Sequence, residues 1–354
     1  MSIQVRYIPF SPLSDQNEFK GYLDILLIKS FPYGENFTDP TLDFLCHNST
    51  VQRFEYRQVR MGVEARMVVY AREEAHALKA CLAAYHRLSE LDAKMSDYRP
   101  DSELMQLCQR AVGRWVRVSR ELFYVLWRAQ KLASQTDGAF DITVGPLVQL
   151  WREARRTARL PDEATLSAAK ARTGWRKLEL SLRRRAARLA IAGMQLDLGG
   201  IAKGYACDEV LRTLKRFGIR YALVQMGGDM VVGEAPPDQK GWRIEIPSLA
   251  ESRQLDQLSS PQIARIASLS RCALSVSGST EQYVEIEGKR YAHIIDPRTG
   301  LGLTRLILAI VRARDGITAD SLATAACVLG VEGIGRLRKL YPHATIEVQL
   351  GAFP

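Results

Sequence analysis

The order of the predicted secondary structure constrains the fold of this chain more than any other feature. Short strands meet at two-residue turns, Met61-Gly62 and Glu287-Gly288, as is typical of antiparallel hairpins. Long amphipathic helices lie between hairpins; in residues 73–94 the apolar side chains recur every three or four positions. Because strands and helices do not alternate regularly, we predict the α+β class, with mixed or antiparallel sheets and flanking helices, and not a parallel doubly wound sheet.

The same periodicities and turn signals predict the other elements. Further helices are predicted at residues 119–136, 161–173, 201–217 and 318–329. Strands are predicted on both sides of the turn within 52–70, on both sides of the basic turn 183–185 within 175–198, and at 221–232, 241–246, 272–276, 306–311 and 344–348. Residues 252–268 show no clear period and are predicted to form a polar insertion.

Residues 195–208, QLDLGGIAKGYACD, have the pattern of a ligand-binding turn. A predicted strand carrying Asp197 leads into the glycine pair Gly199-Gly200, and a predicted helix follows with Lys203 in its first turn. A glycine pair allows close approach of a ligand to the backbone, and the free N–H groups of a helix N-terminus bind anions such as pyrophosphate. The alternative is a strand–turn–helix joint in which the glycines serve packing and the lysine is solvated.

Four other clusters also have alternative interpretations. Gly227-Gly228-Asp229 ends a predicted strand and could allow close approach of a ligand to the backbone, or be a structural turn. Ala139-Phe140-Asp141 could hold a flat polar ring, or consist of core residues with a capping aspartate. His293 could act as an acid or base near neutral pH, or be a structural histidine in the turn HIIDPRTG. Asp320 and Thr324, four residues apart on one helix face, could bind Mg²⁺ through oxygen atoms, or represent a helix cap and a neighbouring threonine.

Composition favours a soluble protein with anionic ligands. The chain has 354 residues and a net charge of +10, which suits nucleotides and also permits contact with nucleic acid or a membrane surface. The arginine-rich segments 152–159 and 183–188 are interpreted as solvated helix and hairpin faces, and no nucleic-acid-binding motif accompanies them. The six cysteines form no C-x-x-C pair, which indicates buried thiols and excludes a disulfide framework or a zinc site by spacing.

The sequence of the N-terminal region bears on the cellular location of the protein and on its domain organisation. Residues 1–50 contain many turn formers and little periodicity, so we predict an irregular extension followed by a functional domain at 51–354. No basic segment followed by an apolar run resembles a signal peptide, and the apolar patch at 23–28 is too short to span a bilayer. These features predict a cytoplasmic protein without a transmembrane segment.

Six blocks of the sequence, in order, closely resemble the signature blocks of the ApbE family of flavin transferases. The blocks are MSDYRPDSEL, GAFDITVGPL, LDLGGIAKGYACD, VQMGGD, HIIDPRTG and TADSLATAACVLG, and the resemblance extends from Phe54 to Gly330. It implies a T-fold-like α+β domain that transfers FMN from FAD to a Ser or Thr hydroxyl of an acceptor protein, with Mg²⁺ and with release of AMP. Two blocks depart from the family pattern: the usual MGT reads Met61-Gly62-Val63, and the usual SGDYERY reads SGSTEQY at 277–283.

The resemblance also implies roles for individual residues. His293 and Asp320 correspond to catalytic positions, with His293 assisting removal of the acceptor proton. The implied Mg²⁺ ligands are Gly200, through its carbonyl, Asp320 and Thr324. The implied FAD contacts are Met61, Tyr98, Ala139, Phe140, Asp141, Asp197, Lys203 and Ile295. Two alternatives use the same site: a Mg²⁺-dependent FAD pyrophosphatase that gives free FMN and AMP, and a flavin-binding protein without catalysis.

Overall fold

A seven-stranded antiparallel sheet forms the centre of the protein, in the strand order β1-β2-β6-β7-β10-β15-β16. A computed structural model describes residues 51–249, 262–280 and 282–351. The strands of this sheet are β1 (Gln52–Arg60), β2 (Val63–Ala71), β6 (Ala222–Met226), β7 (Asp229–Val232), β10 (Cys272–Gly278), β15 (Leu306–Ala313) and β16 (Thr345–Gly351). The predicted α+β class is confirmed.

Four smaller sheets and the helices surround the central sheet. The other strands are β3 (Val116–Arg117), β4 (Leu178–Ser181), β5 (Ala186–Leu189), β8 (Trp242–Ser248), β9 (Gln262–Leu269), β11 (Tyr283–Ile286), β12 (Lys289–Ala292), β13 (Ile295–Asp296) and β14 (Leu301–Gly302). The helices are α1 (Glu74–Met95), α2 (Glu103–Arg110), α3 (Arg120–Gln135), α4 (Gly145–Thr157), α5 (Glu163–Arg172), α6 (Ala202–Arg216) and α7 (Gly316–Leu340), with a short 3-10 helix at Trp175–Lys177.

Both faces of the central sheet are covered by other elements. Successive side chains of a strand point to opposite faces, so neighbouring residues enter different cores. On β2, Met67 and Val69 belong to the main core, where α1, α6 and α7 pack, whereas Val68 belongs to a second core beneath the β8–β9 hairpin. The cysteines at 81, 108, 207, 272 and 327 are buried free thiols, as predicted; Cys46 lies outside the described residues.

The helix starts follow the capping residues that the sequence contains. Ser102, Ser119, Asp162 and Asp315 accept hydrogen bonds from the amides of the first turns of α2, α3, α5 and α7. Asp315 is therefore the cap of α7, and Asp320 lies in its second turn with no capping role. This result removes the alternative of Asp320 as an N-cap.

The structure corrects several sequence predictions. Residues 221–232 form the β6–β7 hairpin and not one strand, because Gly227 has a φ of +57° and turns the chain. Residues 195–198 are irregular, since the Asp197 amide donates to the Ile142 carbonyl outside any ladder. Helix α4 begins at Gly145, earlier than the helix face interpreted at 152–159, and the insertion predicted at 252–268 contains strand β9 from residue 262 onward. Residues 252–261 lie outside the described part of the chain.

Helix α7 is longer than predicted and contains a kink. Gly330 has a φ of +67°, and the Arg305 guanidinium donates to the carbonyls of Cys327 and Val328 just before it. Within the described residues, α7 is the helix with the length and apolar composition to cross a membrane, and 67% of its apolar window is buried inside the protein. Such burial is expected of a core helix.

Helices α6 and α7 cross at two glycines, and this crossing positions Asp320. A Cβ atom on Gly204 would lie 2.1 Å from the Gly316 carbonyl oxygen, so the crossing requires glycine. Both oxygens of Asp208 on α6 accept the amides of Gly316 and Ile317, which fixes the start of α7. The two contacts hold the second turn of α7 against the first turn of α6.

We expect the substitution Gly204→Ala to lower the free energy of unfolding by about 3 kcal/mol, because the overpacking at Gly316 exceeds the helix preference for alanine of about 1 kcal/mol. Gly335→Ala is the matched control, since a Cβ atom there meets nothing within 4 Å and should be neutral or stabilising. Thermal unfolding of both variants by calorimetry measures the difference. Equal melting temperatures would show that the crossing can open without loss.

Candidate active site

Lys203 lies between two buried carboxylates in the first turn of α6. Its Nζ atom is 3.2 Å from Asp229 Oδ2 and 3.9 Å from Asp320 Oδ2, and it donates a 2.8 Å hydrogen bond to the Gly199 carbonyl. Asp229 and Asp320 are only 4% and 2% exposed. One cation facing two buried carboxylates leaves an excess negative charge, which favours the binding of a second cation.

The charges of this cluster shift the pKa values of its members. Burial raises the pKa of Asp320 and the charge of Asp229 raises it further, while Lys203 and the Gly204 amide oppose the rise. Burial by itself would lower the pKa of Lys203, but the carboxylates of Asp320 and Asp229 more than offset this effect and hold that pKa above its usual range. Lys203 is therefore a permanent cation at neutral pH.

The backbone of Gly200 lies close to this cluster. The Gly204 amide donates to Asp320 Oδ2 at 2.9 Å, so it does not make the helical bond to the Gly200 carbonyl four residues earlier. A Cβ atom on Gly200 would lie 2.9 Å from Thr324 Oγ1, which shows how closely the turn approaches α7. The structure thus brings Gly200, Asp320 and Thr324 together, as the predicted metal ligands require.

These groups fit a Mg²⁺ ion by their chemistry. A carbonyl, a carboxylate and a hydroxyl are the hard oxygen ligands that Mg²⁺ prefers. Among the described residues, the contacts of Asp320 are all at Oδ2, and Oδ1 receives no hydrogen bond. No cluster of three or more His, Cys, Asp or Glu side chains that could hold a metal occurs in that part of the chain.

A second group surrounds Tyr98, whose side chain is 75% exposed. The Arg152 guanidinium covers one face of the ring, 4.0 Å from its centroid, and leaves the other face accessible. Arg152 also forms an ion pair with Asp97 and lies 3.5 Å from Asp197 Oδ2. An aromatic ring with one free face beside carboxylates suits a flat heterocycle that carries N–H groups.

Asp197 links the two groups. Its Oδ1 atom accepts the Gly199 amide at 2.7 Å, so Asp197 also shapes the turn that precedes Lys203. Burial and the nearby charge of Asp97 raise the pKa of Asp197 to about 6, although the Gly199 amide and Arg152 oppose the rise. Asp197 can therefore change its protonation state near neutral pH.

His293 lies beside the cations of this region. Its Nδ1 atom is 3.2 Å from the Gln282 carbonyl, and its own amide donates to the same oxygen at 2.8 Å. Part of the ring is accessible, but the surrounding protein displaces water and lowers the pKa of His293 to about 4, and the charges of Arg155 and Lys203 act in the same direction. His293 is therefore neutral at physiological pH and has a nitrogen that can accept a proton.

Other predicted FAD contacts occupy structural positions. Ala139 and Phe140 are buried in the main core, and Asp141 accepts the amide and hydroxyl of Thr143, each at 2.7 Å. This is the core arrangement that the sequence left as an alternative. Met61, in the β1–β2 turn with a φ of +51°, packs against the same core. No hydrogen bond or ion pair joins these residues to Lys203 within the described chain, and their contact with FAD stays a prediction.

Ile295 packs where the turn 296–300 meets helix α4. It is 7% exposed and packs in a separate cluster with Trp151 of α4. The Trp151 indole donates to the Gly300 carbonyl at 2.9 Å, so the turn at 296–300 holds α4 in place and presents Arg152 to Tyr98.

Two residues of the site, Asp97 and Arg152, were absent from the sequence prediction, and Asp229 was considered only within the Gly227-Gly228-Asp229 turn and not as a partner of Lys203. Asp97 and Asp229 are contained in blocks that were recognised, but no local spacing links them to Arg152 and Lys203. Arg152 was interpreted as part of a solvated face; this is wrong, because it is an ion-paired residue stacked on Tyr98. Because the start of helix α4 was not predicted, the direction of the Arg152 side chain could not be deduced from the sequence.

We expect the substitution Arg152→Met to raise the pKa of Asp197 further and to lower stability at pH 8 by about 1 kcal/mol, because Asp97 and Asp197 then face each other without a cation. Carbon-13 NMR titration of the Asp197 carboxyl measures the change. The control is Arg156→Met on the same helix, where the exposed arginine pairs only with Glu153. An unchanged Asp197 titration would mean that Arg152 does not act on it.

Comparison with known proteins shows which family the chain resembles. The model of the ApbE family matches residues 61–346. A FAD:protein FMN transferase of Klebsiella pneumoniae is 32% identical over 277 residues, covering 77% of each chain. One of Treponema pallidum is 31% identical over 307 residues, covering 82% of this chain and 83% of the relative.

Solved structures agree with the fold. The ApbE protein of Thermotoga maritima superposes with a TM-score of 0.74 at 27% identity, covering 84% of this chain and 94% of that one. The flavin transferase ApbE of Vibrio cholerae gives a TM-score of 0.74 at 28% identity, covering 85% and 93%. The likeness therefore includes all the elements that carry the cluster around Lys203.

Proposed function

The chain belongs to the ApbE family and is an enzyme of the FAD:protein FMN transferase type, and from this premise we propose that it requires Mg²⁺, modifies a Ser or Thr hydroxyl and releases AMP. The observation that carries the proposal is the cluster of Lys203, Asp229 and Asp320 beside the Gly200 carbonyl and Thr324. A site with excess buried negative charge, beside a glycine turn and a threonine that can supply further oxygen ligands, suits a divalent cation at a pyrophosphate.

Gly200, Asp320 and Thr324 would hold the Mg²⁺ ion. When bound, the ion would neutralise charge on the phosphoryl oxygens of FAD, which is the main requirement of phosphoryl transfer. Lys203 adds a fixed positive charge from the side of α6. Because two carboxylates and the Gly199 carbonyl orient its ammonium group, little reorganisation is needed when the pyrophosphate binds.

The transfer itself needs a nucleophile from outside this chain. The acceptor hydroxyl oxygen forms a bond to the phosphorus of the FMN half, the bond from that phosphorus to the bridging oxygen breaks, and AMP leaves. His293 is suited to take the hydroxyl proton, because its lowered pKa keeps the ring neutral and able to accept. Tyr98 and Asp197 are suited to bind a ring of FAD, by stacking on the free face and by hydrogen bonding.

Mass spectrometry tests the proposal. The full chain is incubated with FAD, Mg²⁺ and a peptide that contains one Ser or Thr acceptor, and the same peptide with alanine at that position is the control. We expect the hydroxyl peptide alone to gain the mass of an esterified FMN, with AMP released in equal amount, and EDTA to abolish both products.

Two other outcomes separate the alternatives. Free FMN and AMP with both peptides unmodified would indicate a pyrophosphatase that uses water as the nucleophile. FAD that stays intact on the protein would indicate a binding protein without catalysis. A full reaction in EDTA would contradict the role of Mg²⁺.

A further inference from the structure

The positive charge of the chain is concentrated around one small sheet. Segments 110–120 and 172–193, which build and flank the sheet β3-β5-β4, contain eleven Lys and Arg residues and one acidic residue, Glu179. Their net charge therefore equals the +10 of the whole chain, and the remaining residues are neutral in sum. The mechanism proposed above uses none of these residues.

The strand register shows which side chains of this sheet face away from the core, and basic residues are among them. Ala187 pairs with Val116 and Leu180, and all three pack on the main core. Residues at the alternate positions must therefore point outward, among them Arg117, which pairs with Ala186. The Arg188 guanidinium lies 5.0 Å from the centroid of the Trp115 ring, which adds an aromatic side chain to the same face.

The tip of the β4–β5 hairpin combines an apolar side chain with unpaired charges. Leu182 is 71% exposed, more than any other leucine of the described residues, and Arg183 and Arg184 follow it directly. The guanidinium groups of Arg117, Arg183 and Arg184 make no hydrogen bond or ion pair with another described residue. Arg185 differs, because its side chain donates to the Val118 carbonyl and braces the tip.

We propose that this surface, Arg117 with the tip 182–184, docks the protein on a membrane rich in anionic lipids. Arginine binds phosphate groups through paired N–H donors, and a leucine between such arginines can enter the boundary between headgroups and acyl chains. An extended polyanion such as nucleic acid offers no apolar environment for Leu182. The lipid surface satisfies the apolar and the charged parts of the tip together.

Vesicle sedimentation of the full chain tests the inference. We expect binding to vesicles of phosphatidylglycerol and phosphatidylcholine, no binding to phosphatidylcholine alone, and loss of binding in high salt. The triple variant Arg117→Gln, Arg183→Gln, Arg184→Gln should lower the partition coefficient about fivefold for each charge removed. Its matched control is Arg216→Gln, Arg243→Gln, Arg336→Gln, which removes three exposed arginines of other surfaces and should bind like the wild type.

Leu182→Asn separates insertion from attraction by charge alone. We expect it to weaken binding severalfold and to reduce the blue shift of Trp115 fluorescence on vesicles, measured as the difference from a Trp115→Phe protein. Equal loss of binding in the two triple variants would overturn the inference, because only net charge would then matter. Binding to polyglutamate or duplex DNA without binding to vesicles would also overturn it. The assay needs neither FAD nor Mg²⁺, so its outcome is independent of the proposed function.

Discussion

Replacement of Asp320 by alanine is expected to abolish FMN transfer, by a factor of about 10³ or more, and to leave the fold intact. The side chain supplies the single carboxylate of the predicted Mg²⁺ site. The fold should tolerate the change, because Lys203 keeps its ion pair with Asp229 and the variant loses a buried carboxyl whose pKa is raised. The uncapped Gly204 amide is the main structural loss.

Three measurements check this result: peptide flavinylation by mass spectrometry, Mg²⁺ binding by calorimetry, and the melting temperature. Ser321→Ala is the control on the same helix, since that hydroxyl donates to the Ile317 carbonyl and does not face the site. Ser321→Ala should transfer FMN at the wild-type rate. Full activity of the Asp320→Ala variant with Mg²⁺ as the sole metal would contradict the assignment of the ligands.

Local sequence signals predicted much of the fold and part of the arrangement of the candidate metal site. The spacing of Asp320 and Thr324 placed both on one helix face, and the turn at Met61-Gly62 formed between two strands as predicted. These features depend on neighbours within a few residues. The order of elements was then sufficient for the α+β class.

Contacts between distant residues were beyond such signals. Nothing near Lys203 in sequence indicates Asp229, and nothing in the arginine-rich segment 152–159 indicates that Arg152 turns inward and stacks on Tyr98. Those pairings depend on how α4 and α6 pack, which the crossing at Gly204 and the Trp151 hydrogen bond decide. Tertiary packing thus determines which charged residues of each segment belong to the site.

Replacement of Lys203 by methionine is expected to abolish transfer and also to destabilise the protein, by about 1–3 kcal/mol at pH 8. The variant leaves Asp229 and Asp320 buried near each other without their cation. The estimate lies below that for a fully buried pair, because the Lys203 side chain is 26% exposed. Lys215→Met, at an exposed position of the same helix, is the matched control and should be neutral.

The pH dependence gives the sharper test. In the wild-type protein the pKa of Asp320 is already raised to about 7 by burial, and loss of Lys203 must raise it further. A carboxyl whose pKa is higher in the folded than in the unfolded state stabilises the fold when protonated, and this contribution is lost as pH rises through the folded-state pKa. The melting temperature of the variant should therefore approach that of the wild type near pH 5 and fall furthest below it at pH 8.

A second substitution shows whether charge is the cause. Asp229→Asn in the Lys203→Met background returns the cluster to its wild-type net charge and still offers an oxygen to the Ser275 hydroxyl, which donates to Asp229 Oδ1 at 2.7 Å. The double variant should recover part of the lost stability and depend less on pH than the Lys203→Met variant, because the charge of Asp229 no longer raises the pKa of Asp320. It should stay inactive, because the cation that faces the pyrophosphate is still missing. A destabilisation that stays constant from pH 5 to pH 8, or that is undiminished in the double variant, would instead attribute the role of Lys203 to packing.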